Sequence, residues 1–475
     1  MGATFALISI VSWSHGLEGV GLWSLVTTST GLAQLGTLGL GAAMTRHLPL
    51  ALASDEPERA TLIIASVCST LFLIFILAAM FLYLPLRLYF SAILSGKTLE
   101  VAHQLLVWTL IGLPFGILAD CLLNALLGVH HAAAKSKIVL AAQTLKLSVV
   151  AFFLPSLGLL ALVIGQWAYC SIVIVSGRQC LGRLVGFSWL DAIRFDGPTL
   201  RALLPFGLRM QAASVAVFLF EPTIRLAIGS ITGLAMLGVY EMASKLVVSV
   251  RNMLTAALHV TVPAIAEADK MEPGRVHRLM QAMTACVWLI GTAVMVTLAV
   301  SAPLVSHLWF GQFEPAFVHL VWILDLGWWF TLVMSPAYFL ALGKGWAHLT
   351  LINHMVMTLL AGPLVVAGCF LGNIILVGSG VSAALFIGTI VFVSLTRRRL
   401  APTVTLIAES WWLGLGLGFV SCLALAIGLE AVASDRSWQL AALSLIPLSG
   451  IWIDKSLRRL LVDGWRHATS RPALC

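Results

Sequence analysis

Long apolar runs separated by short polar clusters set the pattern of this chain. Most runs reach about 20 residues, the length a helix needs to cross a bilayer core about 30 Å thick. They do not alternate apolar and polar at every second position, as a membrane β-strand does. The pattern predicts fourteen helical spans, at 1–14, 20–45, 60–85, 101–127, 137–157, 158–177, 201–229, 236–262, 278–302, 316–342, 349–371, 374–395, 408–430 and 437–453. The fold class that follows is all-α, a polytopic membrane protein. The longest loop, 178–200, holds Arg178, Arg183, Asp191, Arg194 and Asp196.

The pattern repeats. Gly16-Leu17-Glu18-Gly19-Val20-Gly21-Leu22-Trp23 returns as Gly233-Leu234-Ala235-Met236-Leu237-Gly238-Val239-Tyr240, a shift of 217 residues. Val107-Trp108 finds Val321-Trp322 at a shift of 214, and Leu126-Leu127-Gly128 finds Ala341-Leu342-Gly343 at 215. Three matches in order, in nearly one register, indicate two related halves. Each glycine segment reads as a turn that opens a long helix.

Composition agrees with the pattern. Hydrophobic residues make up 60% of the chain, charged residues 10%, and the mean hydropathy is +1.00. Soluble domains carry about 25% charged residues. The placement of the charges sets the topology. Loops after even-numbered spans, with the C-terminal tail, hold twenty of the 28 Lys and Arg residues. The opposite loops hold Arg87, Lys97 and Arg436. By the positive-inside rule both termini face the cytoplasm, and Arg397-Arg398-Arg399 mark a cytoplasmic loop. A repeat unit of six spans, an even number, keeps one orientation, so the halves form a parallel repeat around a central cavity. The expected organisation is 1–177 as the first lobe, 178–200 as a cytoplasmic linker and 201–396 as the second lobe. Two additional helices over 397–453 and a basic tail over 454–475 complete it. The first span is short for a crossing, which predicts an in-frame upstream extension of roughly 15 to 30 residues.

Charges inside spans are costly and point to an interior or a wet cavity. The bases are Lys146, Arg209, Arg225, Lys245 and Arg251; the acids are Asp120, Glu221, Glu241 and Asp325. Glu221 and Arg225 are four apart, as are Glu241 and Lys245, so each pair shares a helix face. They read as neutralised ion pairs joining neighbouring spans, as a charged outer gate, or, through Arg225 and Lys245, as a ligand contact. Arg209 and Arg251 have no acid three or four residues away. A guanidinium of that kind suits phosphate oxygens, as does Lys146, and snorkelling to an interface is the alternative. Asp120 and Asp325 are candidates for proton or cation coupling, with polar packing as the alternative.

Other chemistry is not indicated. There is no HExxH, no P-loop and no Gly-x-Ser-x-Gly elbow. The eight cysteines form no CxxC pair, so no metal site is expected, and no cofactor. The basic residues are spread over short loops, which does not suit a nucleic-acid partner.

Gly19-Val20-Gly21-Leu22-Trp23 followed by Gly36-Thr37-Leu38-Gly39-Leu40-Gly41-Ala42-Ala43-Met44-Thr45-Arg46 resembles the start of bacterial O-antigen-type polysaccharide flippases. So do Glu221-Pro222-Thr223-Ile224-Arg225-Leu226-Ala227-Ile228-Gly229, Leu237-Gly238-Val239-Tyr240-Glu241-Met242-Ala243 and Val262-Pro263-Ala264-Ile265-Ala266. The resemblance covers most of 15–400 and falls in the multidrug, oligosaccharidyl-lipid and polysaccharide exporter superfamily. It implies two six-helix lobes and transport of undecaprenyl-pyrophosphate-linked oligosaccharide from the cytoplasmic to the periplasmic leaflet of the inner membrane. The implied partners are that lipid-linked substrate, the lipid bilayer and other polysaccharide assembly proteins. The chain is then no enzyme. A drug or small-solute antiporter of the same superfamily is the alternative. A membrane glycan polymerase or ligase fits less well, because the extracytoplasmic loops are too short to hold an acceptor.

Overall fold

The structure, a computed structural model, describes residues 2–54, 56–188, 195–258, 265, 273–344 and 346–399. Predicted spans 408–430 and 437–453 and the tail 454–475 lie outside the described residues. Among the described residues every long element is a helix.

Helix α1 (Gly2–Gly31) bends sharply at Gly16, whose φ of +66° suits a residue without Cβ. Spans 1–14 and 20–45 therefore part at the predicted turn. The second of them, however, is not one helix. After Gly31 the chain forms a 3₁₀ turn, Leu32–Thr37, and passes through left-handed Leu38 (φ 51°) and Gly39 (φ 63°) before α2 (Leu40–Ala53). The break allows close approach to a neighbour: a Cβ on Gly39 would sit 2.0 Å from the Gly207 carbonyl oxygen. Backbone groups freed inside an apolar stretch need partners. Gln211 supplies them. Its Oε1 accepts from the Thr37 hydroxyl at 2.8 Å and the Gly39 N–H at 2.9 Å, and its Nε2 donates to the Leu35 carbonyl at 3.3 Å.

Most of the remaining helices follow the predicted spans, but span 278–302 is interrupted by a π-helical turn and span 316–342 divides at Met334. The helices are α3 (Pro57–Ile93), α4 (Gly96–Gly128), α5 (Ala132–Leu157), α6 (Leu160–Val185), α7 (Gly197–Ile231) and α8 (Leu234–Leu258). Then come α9 (Pro273–Cys286), α10 (Thr292–Phe310), α11 (Pro315–Val333), α12 (Ser335–Gly343), α13 (Ala347–Phe370) and α14 (Ile374–Arg397). A π-helical turn, Val287–Gly291, joins α9 to α10. Helices α3 to α6, α10, α11, α13 and α14 are the eight described helices long and apolar enough to cross a membrane. Their outward faces stay apolar: Phe81 is 78% exposed, and Phe152 and Phe370 are each 76% exposed. In a polytopic protein such faces meet lipid tails.

Two compact units emerge, Met1–Gly238 and Val239–Cys475. In the first, α3, α4, α5 and α6 pack together, and α7 lies against α1, α2 and α3. Its core is built from Leu40, Met44, Ile64, Leu71, Phe75, Leu122 and Leu126. Below α6, Gly186 turns the chain (φ 73°), and the Asp196 N–H reaches the Ser66 hydroxyl at 3.2 Å. The described ends of the 178–200 stretch thus stay with this unit; a boundary drawn by packing need not coincide with one drawn by repeat. In the second unit, α14 packs on α11 and α13, with Phe330 stacked on Phe386 at 4.3 Å.

The repeated glycines share geometry as well as sequence. Gly233, the counterpart of Gly16, also has a positive φ, +93°. Within the first unit, a Cβ on Gly21 would lie 1.9 Å from the Leu234 carbonyl oxygen, and a Cβ on Gly238 would lie 2.1 Å from that of Leu17. Leu17 and Leu234 are themselves counterparts. Each copy's glycine therefore seats the other copy's carbonyl.

Candidate functional site

The first unit holds a cavity of about 230 Å³ between α1, α3, α4 and α6. Helical spacing makes its wall. Trp23, Thr27, Thr30, Gly31 and Gln34 come from α1 and the turn after it; Thr109, Gly112, Gly116 and Asp120 come from α4. Positions three or four apart share one face, so each helix presents a single small-and-polar stripe. From α6 come Gln166, Trp167, Tyr169 and Cys170.

Glycines shape the interior. A Cβ on Gly112 would meet the Trp167 indole nitrogen at 2.7 Å, so Gly112 makes the seat for that ring. Trp167 also stands edge-on to Trp108 at 5.5 Å. A Cβ on Gly116 or Gly31 would meet nothing within 4 Å, so both face open space. The Trp167 Nε1 and the Thr109 hydroxyl are buried with no hydrogen-bond partner among the described residues. Lys146, from α5, donates to Gln166 Oε1 at 2.7 Å. Asp120 makes no ion pair among the described residues and is exposed on the cavity wall. The structure thus places Asp120 on the cavity wall and Lys146 behind it, joined to the wall through Gln166.

The two spaced pairs form within their own helices. Arg225 meets Glu221 at 3.0 Å on α7, and Lys245 meets Glu241 at 2.8 Å on α8. Glu241 is nearly sealed, its side chain 4% exposed against 35% for Lys245. Arg209 falls on α7, but its side chain lies outside the described residues.

The second unit carries Arg251 on α8. Its guanidinium lies 5.1 Å from the centre of the Trp328 ring and donates to Asn252 Oδ1 at 3.2 Å. The Tyr338 phenol and the His354 imidazole are near enough to feel its charge. No carboxylate lies within ion-pair distance of Arg251 among the described residues. Asp325, on α11 of the same unit, is 6% exposed, and its Oδ1 has no hydrogen-bond partner among the described residues. Its helix neighbours Trp322 and Trp329 are tied to α10, through the Ala299 carbonyl at 2.8 Å and the Thr292 hydroxyl at 3.0 Å.

Charge was the signal the sequence offered, and it led to Lys146, Asp120, Arg251 and Asp325. It passed over Gln166, Trp167, Thr27, Thr109 and Gln34. The stripe of Thr27, Thr30 and Gln34 at helical spacing in an apolar segment was available to find them. Trp328, Tyr338 and His354 carry no such mark, because only packing brings them to Arg251.

A sequence profile described as "Polysaccharide biosynthesis protein" matches residues 65–316, more than half of the chain. A curated relative, the amylovoran biosynthesis protein AmsL of Erwinia amylovora, is 22% identical over 175 residues. That match takes in 37% of this chain and 44% of the relative, so the chain spans less than half the length of the curated protein it matches. Among solved structures, an inward-facing multidrug-resistance MATE family transporter of the MOP superfamily aligns with a TM-score of 0.69 at 15% identity, covering 84% of this chain and 96% of that one. The lipid II flippase MurJ in an inward closed conformation aligns with a TM-score of 0.69 at 13% identity, covering 95% and 96%. The fold is the one these transporters share, and the chain is a multi-pass membrane protein.

Proposed function

The chain belongs to the polysaccharide biosynthesis protein family, and from that premise we propose that it flips an undecaprenyl-pyrophosphate-linked oligosaccharide from the cytoplasmic to the periplasmic leaflet of the inner membrane. Transport proceeds by alternating access, without covalent chemistry, and both termini face the cytoplasm. The two repeats, 1–177 and 201–396, are the moving bodies of this reading.

Arg251 is the observation that carries it. A guanidinium on an apolar helix bundle is costly unless something neutralises it. Arg225 and Lys245 have acids one turn away; Arg251 has an aromatic face and an amide oxygen instead. A planar fork held this way suits the paired oxygens of a pyrophosphate. Lys146 and Arg209, in the first unit, are further candidate bases for the substrate, while Glu221 with Arg225 and Glu241 with Lys245 are paired charges for gating. Asp325 is the coupling acid, because a sealed carboxyl without a partner gains or loses a proton or cation as its surroundings change.

The family likeness to the curated relative and the fold shared with a flippase support this reading. The test is Arg251→Gln in cells that export the glycan. Neutralising an unpaired charge relieves an insertion cost, so membrane abundance should stay near wild type while lipid-linked glycan accumulates on the inner leaflet. Arg251→Lys should rescue only in part, having lost the fork. Wild-type export by a normally abundant Arg251→Gln protein would overturn the assignment. Asp325 and the shared MATE fold favour a second reading, a cation-coupled antiporter for small solutes. That reading expects Arg251→Gln to be harmless and Asp325→Asn to abolish efflux.

A further inference from the structure

We infer that the first-unit cavity is a binding site for a single sugar ring of the lipid-linked substrate. This rests on the flippase reading and adds to it a place and a chemistry for the sugar. Three observations carry it. The first is size: about 230 Å³ lies below the roughly 300–1,000 Å³ of pockets for drug-sized ligands, which suits one monosaccharide and no longer glycan. The second is where the space lies. Gly116 and Gly31 face open space on two different helices, and Asp120 stands one turn beyond Gly116 on the same face of α4.

The third is the wall chemistry. A pyranose has apolar C–H faces and a rim of hydroxyls that both donate and accept. Its C–H face packs well on an indole, and Trp167 presents one, fixed by Gly112 and Trp108. Its rim needs acceptors and donors. Asp120 supplies two carboxylate oxygens, which accept from neighbouring hydroxyls. The Gln166 amide is oriented by Lys146 on its oxygen; its Nε2 has only a weak 3.8 Å contact with Cys170 Sγ, leaving donor capacity. An organic cation would use Asp120 but would leave the Gln166 amide donor unmet. A bare phosphate would meet that donor but be repelled by Asp120. A neutral polyhydroxylated ring answers both.

The test uses the full chain in nanodiscs and two kinds of probe, undecaprenyl pyrophosphate and a panel of undecaprenyl-pyrophosphoryl monosaccharides. Binding is read by native mass spectrometry. At least one glycosylated probe should bind wild type about tenfold or more tighter than the bare carrier. Gly116→Val fills the open space without meeting protein atoms at its Cβ, and Gln166→Leu removes the oriented amide. Each should bring that ratio to about one while keeping the affinity for the bare carrier. Equal binding of bare and glycosylated carriers to wild type would overturn the sugar site and leave the flippase reading standing. Loss of both probes together in the variants would also overturn it, since the effect would not concern the sugar. Failure of every carrier lipid to bind wild type would overturn the flippase reading itself, and the sugar site with it.

Discussion

The crossing of α1 with the start of α8 makes the sharpest stability prediction. Gly21→Ala places a methyl carbon 1.9 Å from the Leu234 carbonyl oxygen and 3.1 Å from the Gly238 nitrogen. Carbon and oxygen rest at about 3.3 Å or more. The two backbones must therefore part by more than about 1 Å, and no side-chain rotation can relieve them. Overpacking of this kind costs about 1–3 kcal/mol, and even about 2 kcal/mol changes a folding equilibrium roughly 30-fold. Gly238→Ala meets the Leu17 oxygen at 2.1 Å and should cost a similar amount. Once one substitution has parted the helices, the other methyl finds room. The double variant should then cost clearly less than the sum of the singles. Thermal melting of the purified protein is the assay, with Gly116→Ala as the matched control because its methyl would meet nothing within 4 Å. That control should melt at or slightly above wild type, since alanine favours the helix by about 0.5–1 kcal/mol. If Gly21→Ala melts with the control, or if the two costs simply add, the helices do not meet through these glycines.

Other outcomes follow from single contacts. Arg225→Ala removes the ion pair that Glu221, with a side chain 28% exposed, makes at 3.0 Å, at a cost on the order of 2 kcal/mol; membrane abundance should fall, and the double change to Glu221→Leu with Arg225→Leu should restore it. His47 holds its proton less tightly than a free imidazole, first because it is partly buried and then because Arg46 and Arg59 lie close. A base with a lowered folded-state pKa loses stability as pH falls through its unfolded value of 6.5. The melting temperature should therefore drop on going from about pH 7.5 to about pH 5.5, and His47→Gln should shrink that drop. A reporter fused after Arg399 should read cytoplasmic and one fused after Lys97 periplasmic; the same side for both would refute the orientation.

Much of the fold was legible because the solvent is a bilayer. A span must satisfy its own backbone, so an apolar run of sufficient length announces a helix. Turns that need a positive φ announce themselves through glycine, as at Gly16 and Gly233. Pairs such as Glu221 with Arg225 follow from the pitch of the helix alone. The break at 32–39 did not, because its partner Gln211 lies more than 170 residues away. The cavity was half legible. Lys146 and Asp120 stand out as charges, but that one backs Gln166 and the other lines the same cavity depends on how α4, α5 and α6 pack. The indole of Trp167 could be read as one more membrane anchor until its seat on Gly112 was seen.

The Gln211 side chain has a consequence for how the protein is made. It does the work of a peptide unit, with a carbonyl-like oxygen for two donors and an amide nitrogen for one acceptor, at a place where the chain's own helix stops. Synthesis runs from the N-terminus, so residues 35–39 leave the ribosome long before Gln211 does. Until α7 arrives, the Gly39 N–H and the Thr37 hydroxyl lack this acceptor, and lipid cannot supply one. The early segment must wait in water or within the insertion machinery, or else close into a continuous helix that α7 later opens. Assembly of the first unit is thus not a simple sequence of finished hairpins. Its second segment reaches its final form only when its seventh helix does.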